Sequence, residues 1–222
     1  MAQAVRDVWW RDGECDFGTT HHANAMAIRS SVLSPEESVA LFARTPASDP
    51  PYSMTYWHRY ADLDAAAHVG RVDWRLDYMR RHWGLALQAG MTTLWEAFNP
   101  AWMGNDPHGV SMIGGEHARY GGYEMSLCHG WSAGPAVWLH TAVLGVCPAE
   151  PGFAAITFTP ALGDLDWAEG TVPTPHGPIH VTLRRIEDTR LVAGLTVPAA
   201  VDVRVSEQAE EAWKVQIATS DS

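Results

Sequence analysis

The chain has 222 residues, of which 46% are apolar and 18% charged, and it carries a formal net charge of −11. That length suits one ordinary domain, or a medium domain with a small one. The acidic excess excludes a dedicated nucleic-acid binder or a protein built for anionic membranes, because both need a basic face.

The first segment, MAQAVRDVWW, lacks the basic region and apolar run of a signal peptide. If that start is genuine, a cytoplasmic location is expected. No stretch approaches the ~20 apolar residues of a membrane span. HHANAMAIRSSVL predicts a helix. SPEESVALFAR predicts another: Ser34 can cap it, Pro35 suits its first turn and Glu37 completes a capping box. A further helix is expected from about Ser53 to Val69, with Gly70 as its stop. In RVDWRLDYMRRHWGLALQAG, Val72, Leu76, Met79, Trp83 and Leu87 fall on one helical stripe. Gly90 fits the C-terminal stop. GPAVWLHTAVLGV is apolar nearly all round and is expected to be deeply buried. Trp83 and Trp138, both on apolar stripes, are expected in helix packing.

The pattern changes at CPAEPG. FAAITFTP, GPIHVTLRRI, TRLVAGLTVP and VDVRVS are short, β-branched and bounded by Gly or Pro, which predicts strands. Leu165 to Val172 is a possible fifth, and TPHGP a turn. The expected organisation is a mainly helical region over residues 1–146 and a small antiparallel β domain over 147–222. Between them in character is the stretch from Asn99 to Cys128, which has six glycines in 30 residues and little periodicity. A loop of that length is usually functional.

Several chemistries find little support. Cys15, Cys128 and Cys147 are odd in number and have no C-x-x-C spacing, so they read as small buried thiols rather than a disulfide framework. The eleven histidines show neither H-E-x-x-H nor finger spacing to cysteines, so no metal site and no cofactor is expected. There is no G-x-S-x-G elbow. Ser132 lies near His129 without a marked third partner, and the adjacent Cys128–His129 pair rarely gives the required geometry. Tryptophan is the excess: of eleven, ten lie at or before Trp167. Much of it should be core, and a minority could line a groove for a ligand with apolar faces and many hydroxyls, such as a sugar.

Glu96 is the candidate that chemistry favours. In MTTLWEAFNP it sits between Trp95 and Phe98, where partial desolvation would raise its pKa and suit general acid/base work. The structural alternative is a carboxylate bonded to the backbone of Thr92 or Thr93.

T-T-L-W-E, then S-L-C-H-G-W-S-A-G-P-A-V-W-L, F-A-A-I-T-F-T-P and W-A-E-G-T-V-P-T-P-H-G-P-I-H-V, together resemble the C-terminal part of bacterial α-L-rhamnosidases. These are glycoside hydrolase family 78, within the six-hairpin glycosidase superfamily. The resemblance covers nearly the whole chain and is strongest from Trp83 to Val181. It implies that residues 1–146 are the last helices of an (α/α)6 barrel and that 147–222 are an appended antiparallel β-sandwich. It implies Glu96 as the general base of an inverting mechanism on a rhamnoside. His129 would reach sugar hydroxyls, with Trp95 and Trp102 as cavity walls and Gly134 allowing close helix packing. The family's general acid lies in an upstream stretch rich in Asp, Arg and Glu before a Gly-Trp pair, and these 222 residues contain no such stretch. Candidates within the chain are Asp16, Asp62, Asp106, Glu116 and Glu124. The loop after Glu96, with Trp102, His108 and Glu116, is longer than the family's usual link. The expectation is therefore a portion of a longer enzyme, completed by the N-terminal half of the barrel or by a complementing chain. The alternatives are a non-catalytic carbohydrate-binding or scaffold protein, and a six-hairpin hydrolase for another glycoside.

Overall fold

The structure is a computed structural model that describes residues 2–11, 14–15, 21–30, 32–44, 55–98, 126–186 and 190–220. It divides into two compact units, Met1–Pro135 and Ala136–Ser222.

The first unit is helical. It contains α1 (Ala2–Trp9), two short paired strands β1 (Trp10–Arg11) and β2 (Glu14–Cys15), α2 (His21–Arg29), α3 (Pro35–Ala43), α4 (Tyr56–His68), α5 (Val72–Met79) and α6 (Leu85–Gln88). Helix α3 begins as its sequence dictates. The Ser34 hydroxyl accepts from the Glu37 N–H and the Glu37 carboxylate accepts from the Ser34 N–H. Two otherwise orphaned donors are thereby satisfied. Arg6 also donates to both Glu37 oxygens, at 2.8 and 2.6 Å, which ties α1 to that cap. The guanidinium and the Ser34 N–H hold the Glu37 carboxyl down at about 2. Gly70 and Gly90 follow α4 and α6 with φ of +72° and +97°, a conformation that glycine adopts without steric cost.

Helices α2, α3 and α4 share one apolar cluster built on Ile28, Leu33, Leu41, Phe42, Ala65 and Ala66. The stripe along α5 buries Leu76, Met79 and Trp83. A π-helical turn, Arg80–Gly84, then interrupts it. Beyond the turn Ala86 is buried and Leu87 is 61% exposed, so the stripe does not continue to Leu87 as its spacing predicts. Trp83 and Trp138 are both buried, as expected. Among the described residues no helix is long and apolar enough to cross a membrane.

GPAVWLHTAVLGV forms α7 (Gly134–Trp138) and a π-helical turn, Leu139–Val143. It is not buried all round. Val143 and Leu144 are in the core, while Val137 and Leu139 are 47% and 42% exposed. An apolar sequence without periodicity marks no solvent side, so it could not reveal which face lacks a neighbour within this chain.

The second unit carries two sheets. One is ordered β3 (Val146–Pro148), β4 (Ala155–Phe158), β8 (Asp202–Val205). The other is ordered β5 (Trp167–Val172), β6 (Ile179–Ile186), β7 (Arg190–Pro198), β9 (Trp213–Ser220). The expectation of a purely antiparallel domain is corrected here. β4 pairs with β8 in parallel and β7 pairs with β9 in parallel, so both sheets are mixed. The parallel pairs arise because the chain changes sheet after β7, then changes back through the short helix α8 (Glu207–Ala212). Alternation of apolar residues fixes which face of a strand is buried, not the direction of its neighbour. A single core takes Ile156 and Phe158 from one sheet and Val172, Ile179, Val181, Leu183 and Leu195 from the other.

Gly145 holds the entry to β3. Its φ is +74°, and a Cβ there would lie 2.3 Å from backbone atoms of Thr159 and Pro160. Gly145→Ala is therefore expected to destabilise the second unit by more than the ~1–2 kcal/mol of a left-handed backbone alone. A lowered urea midpoint measured through the β signal checks this; an unchanged midpoint would show that the junction adapts.

Candidate active site

Glu96 lies on an extended segment held on two sides. On one side, the Tyr56 N–H donates to the Glu96 carbonyl at 3.2 Å, and Thr55 pairs with Ala97 in an antiparallel bridge. On the other, the Glu96 N–H donates to the Ser126 carbonyl at 2.8 Å and the His129 N–H donates to the Leu94 carbonyl at 2.6 Å. The Thr93 hydroxyl also donates to the Leu127 carbonyl. The Glu96 carboxylate accepts from the Ser126 N–H at 3.0 Å. So its bond goes to a residue 30 positions further on rather than to Thr92 or Thr93. A Glu in this setting is fixed in position by main-chain bonds, and one carboxylate oxygen is oriented by a charge-assisted hydrogen bond.

The floor beneath is buried. The Ser132 hydroxyl, fully buried, donates to the Trp95 carbonyl at 2.5 Å, and the Trp83 indole N–H donates to the Ser132 carbonyl at 2.9 Å. Trp95 is itself 9% exposed and packs near Phe98, with ring centroids 6.1 Å apart. Ser132 begins the approach to Gly134, where a Cβ would meet the Tyr60 ring at 3.0 Å. That close approach gives the glycine a packing reason.

His129 and the residues after it face a different environment. The His129 ring stands edge-on to Trp131, with centroids 5.4 Å apart, and Trp131 is 66% exposed. Trp131 in turn meets Trp57 at 5.9 Å. Trp57 meets His58 at 4.7 Å, and His58 meets His22 at 3.9 Å. These rings form one continuous row. At its far end a cavity of about 520 Å³ is lined by residues of α2 and α4. Within it, Arg29 is ion-paired with Asp64 and lies over the Tyr60 ring, 5.4 Å from its centroid. Burial holds the His58 pKa below the ordinary histidine range. The Thr55 hydroxyl is 2.6 Å from His58 Nδ1 and fixes the ring's orientation.

Of the sequence-derived site residues, Glu96, His129 and Trp95 are brought onto adjacent, hydrogen-bonded segments. Trp102, His108, Asp16, Asp106, Glu116 and Glu124 lie outside the described residues. Asp62 is described, and it is 2% exposed with the Tyr78 hydroxyl donating to it at 2.6 Å. Trp57, Trp131, His58 and His22 are residues that motif reading passed over. Their one sequence signal is clustering of Trp and His at helix starts, in TYWH and HGW. Among the described residues no group of three or more His, Cys, Asp and Glu is placed to hold a metal. Cys128 is exposed and Cys147 half-buried, both as free thiols.

Residues 145–218 match the family model described as the bacterial alpha-L-rhamnosidase C-terminal domain. The chain is 30% identical over 142 residues to an alpha-L-rhamnosidase of Alteromonas sp. (strain LOR), covering 61% of this chain and 14% of that protein. Its fold is similar to the family 78 rhamnosidase of Bacillus sp. GL1, with a TM-score of 0.79 at 23% identity, over 100% of this chain and 24% of that one. It is also similar to the Streptomyces avermitilis alpha-L-rhamnosidase complexed with L-rhamnose, with a TM-score of 0.69 at 18% identity, over 92% of this chain and 19% of that one. The Aspergillus terreus enzyme gives a TM-score of 0.70 at 19% identity, over 92% and 23%. The chain thus spans a quarter or less of the length of these relatives. Over residues 145–218 the chain is similar to the bacterial alpha-L-rhamnosidase C-terminal domain, and along its whole length its fold is similar to a part of the Bacillus sp. GL1 rhamnosidase.

Proposed function

We propose that this chain is the C-terminal part of an inverting glycoside hydrolase that removes terminal α-L-rhamnosyl units, with Glu96 as the general base. On this reading residues 1–146 supply the last helices of an (α/α)6 barrel, and 147–222 form the β domain that follows in sequence. The observation that carries the assignment is the position of Glu96. Its carboxylate is oriented by the Ser126 N–H, its main chain is bonded on both sides, and the adjacent segment leads into the aromatic row at His129.

The chemistry is that of an inverting displacement. Glu96 takes a proton from water, the water oxygen attacks the anomeric carbon, and the glycosidic bond breaks on the opposite face. A separate carboxylic acid protonates the departing oxygen, with the two carboxyl groups ~6.5–9.5 Å apart. His129 and the neighbouring tryptophans would bind the sugar's hydroxyls and its apolar face. Asp62 is a poor acid for this step, since its carboxylate is buried and engaged by Tyr78. We assign the acid to barrel sequence outside these 222 residues, carried on an N-terminal half of the barrel or on a complementing chain. The exposed Val137 and Leu139 are consistent with a helix face that such a segment covers.

The test compares the 222-residue chain with a form that includes the barrel helices of its relatives, on an aryl α-L-rhamnoside. Loss of general acid assistance typically costs ~10²–10⁴-fold, so the short chain is expected to show negligible turnover and the longer form to be active. Full activity in the short chain would place the acid among its own carboxylates.

A further inference from the structure

The side chain of Glu96 is aimed by the two peptide units that flank its Cα. The unit between Glu96 and Ala97 is held at its carbonyl by the Tyr56 N–H at 3.2 Å. The unit between Trp95 and Glu96 is held at both ends. Its N–H donates to the Ser126 carbonyl at 2.8 Å, and its carbonyl accepts from the Ser132 hydroxyl at 2.5 Å. The bonds from Tyr56 and to Ser126 join main-chain groups. Ser132 supplies the other from a side chain, and among the described residues no other donor reaches the Trp95 carbonyl.

Ser132 is itself built in. It is fully buried, and a hydroxyl is costly to bury without a partner, so its proton is committed to Trp95. Its N–H donates to the His129 carbonyl at 3.0 Å, and its carbonyl accepts from the Trp83 indole N–H at 2.9 Å. The Trp83 ring packs on Tyr56, with centroids 4.7 Å apart, and the Tyr56 hydroxyl donates to the His82 carbonyl at 3.2 Å. Tyr56 returns to Glu96 through its N–H. The contacts therefore close a ring of Glu96, Trp95, Ser132, Trp83 and Tyr56, in which all but Glu96 are buried. Trp83 and His82 both lie in the π-helical turn Arg80–Gly84, and widened turns of this kind are frequent at functional sites. If the Trp95–Glu96 peptide rotates, the Glu96 side chain swings away from the Ser126 N–H that orients its carboxylate at 3.0 Å. Misplacing a reacting group by ~1 Å costs on the order of 10² in rate.

We propose that Ser132 is a positioning residue for Glu96: through the Trp95 carbonyl, its hydroxyl fixes the peptide that points the carboxylate at water. The role in turnover rests on the general-base reading above. Ser132 acts on the direction of the carboxylate and not on the binding of substrate.

The test follows the carboxylate directly, by NMR of the isotope-labelled 222-residue chain near neutral pH. In the unmodified chain the Ser126 amide nitrogen should couple to the Glu96 carboxylate carbon across their hydrogen bond; no coupling overturns the proposal at once. In Ser132→Ala that coupling should vanish, and exchange of the Glu96 and Ser126 amides should speed up at least about 10-fold relative to the core amides of α4. Ser34→Ala, which removes the α3 cap in the same helical unit, controls for general loosening and should leave both signals unchanged. Ser132→Cys keeps the side chain's shape but offers a poor donor. It takes the place of Ser132→Ala, with the same readouts, if the alanine form does not fold. Coupling that survives in the folded variant, or an equal loss in Ser34→Ala, overturns the proposal and leaves Ser132 a core serine. In a form that hydrolyses an aryl α-L-rhamnoside, Ser132→Ala should lower kcat about 10- to 100-fold with KM within about threefold. A raised KM at unchanged kcat would also overturn it. The two readings fail separately. Coupling lost in Ser132→Ala with kcat retained in Glu96→Gln removes the base and keeps the frame. Coupling retained in Ser132→Ala with a turnover-dead Glu96→Gln removes the positioning role and keeps the base.

Discussion

Glu96→Gln, introduced into a form of the protein that hydrolyses an aryl α-L-rhamnoside, is expected to lower kcat by ~10²–10⁴-fold, the usual contribution of a positioned general base. The substitution is close to a clean removal of that function. A glutamine keeps the shape of the side chain, and its amide oxygen can still accept from the Ser126 N–H that now binds the carboxylate. The main-chain bonds from Tyr56 and to Ser126 do not involve the side chain at all. Unfolding should therefore shift little while turnover collapses. Two accompanying readouts decide the role. The product released by the unmodified protein should have inverted anomeric configuration by NMR, because water attacks opposite the leaving group. Azide added to Glu96→Ala should restore sugar release, since an anion needs no base to deprotonate it. Retention of kcat within about threefold in Glu96→Gln would move the base elsewhere.

Asp62→Ala is expected to destabilise the helical unit by about 3–5 kcal/mol, the scale for breaking a buried charged pair. Arg59 and Asp62 are 1% and 2% exposed. They meet at the Tyr78 hydroxyl, which donates to Asp62 at 2.6 Å and lies 3.4 Å from Arg59 Nη1. The same guanidinium nitrogen is 3.0 Å from His82 Nε2. Burial, then the nearby carboxylate, pushes the Tyr78 pKa well up, so the phenol stays a donor. Removing the carboxylate takes the acceptor from the Tyr78 hydroxyl and leaves the buried Arg59 guanidinium without that neighbouring negative charge. Tyr78→Phe should cost less, about 1–3 kcal/mol, because it removes hydrogen bonds to the charged pair without deleting either charge. Urea unfolding followed through helical ellipticity gives both numbers. An Asp62→Ala midpoint within error of the unmodified chain would mean that water replaces the lost oxygen. A large loss, with the Asp62→Asn form still folded, identifies Asp62 as a structural carboxylate rather than the missing acid.

How far the sequence carried the fold depends on whether the signal was local. The Ser34–Glu37 box, the glycine stops at Gly70 and Gly90 and the Leu76–Met79–Trp83 stripe are rules about neighbours along the chain, and each is met. The π-helical turn at Arg80–Gly84 was not legible, because it has no composition of its own. Nor were α8 and β9: QAEEAWKVQIATS reads as polar and mixed, and only pairing with β7 makes its second half a strand. The polar cluster of Arg59, Asp62 and Tyr78 looks on paper like an ordinary amphipathic helix surface; its burial is decided by the packing of α4 on α5. At the site, Glu96 and His129 were marked by motif. The Trp57–His58 wall was not, because ring contacts join residues 36 and 74 positions apart that no motif spans.

The β9 strand has a consequence for synthesis. It is the last described element, and it lies along β7 from Leu191–Trp213 to Pro198–Ser220. Until it emerges, β7 presents a full row of unsatisfied N–H and C=O groups on one side, an open edge that can template another chain. Its partner arrives only after a detour through β8 and α8, and parallel pairing of that kind is slow to form. A nascent chain stopped near Ala212 would therefore hold most of the second unit's apolar residues but no cover for that edge. Ribosomes that stall, or proteases that cut, just before Trp213 would leave that edge exposed and release an adhesive intermediate.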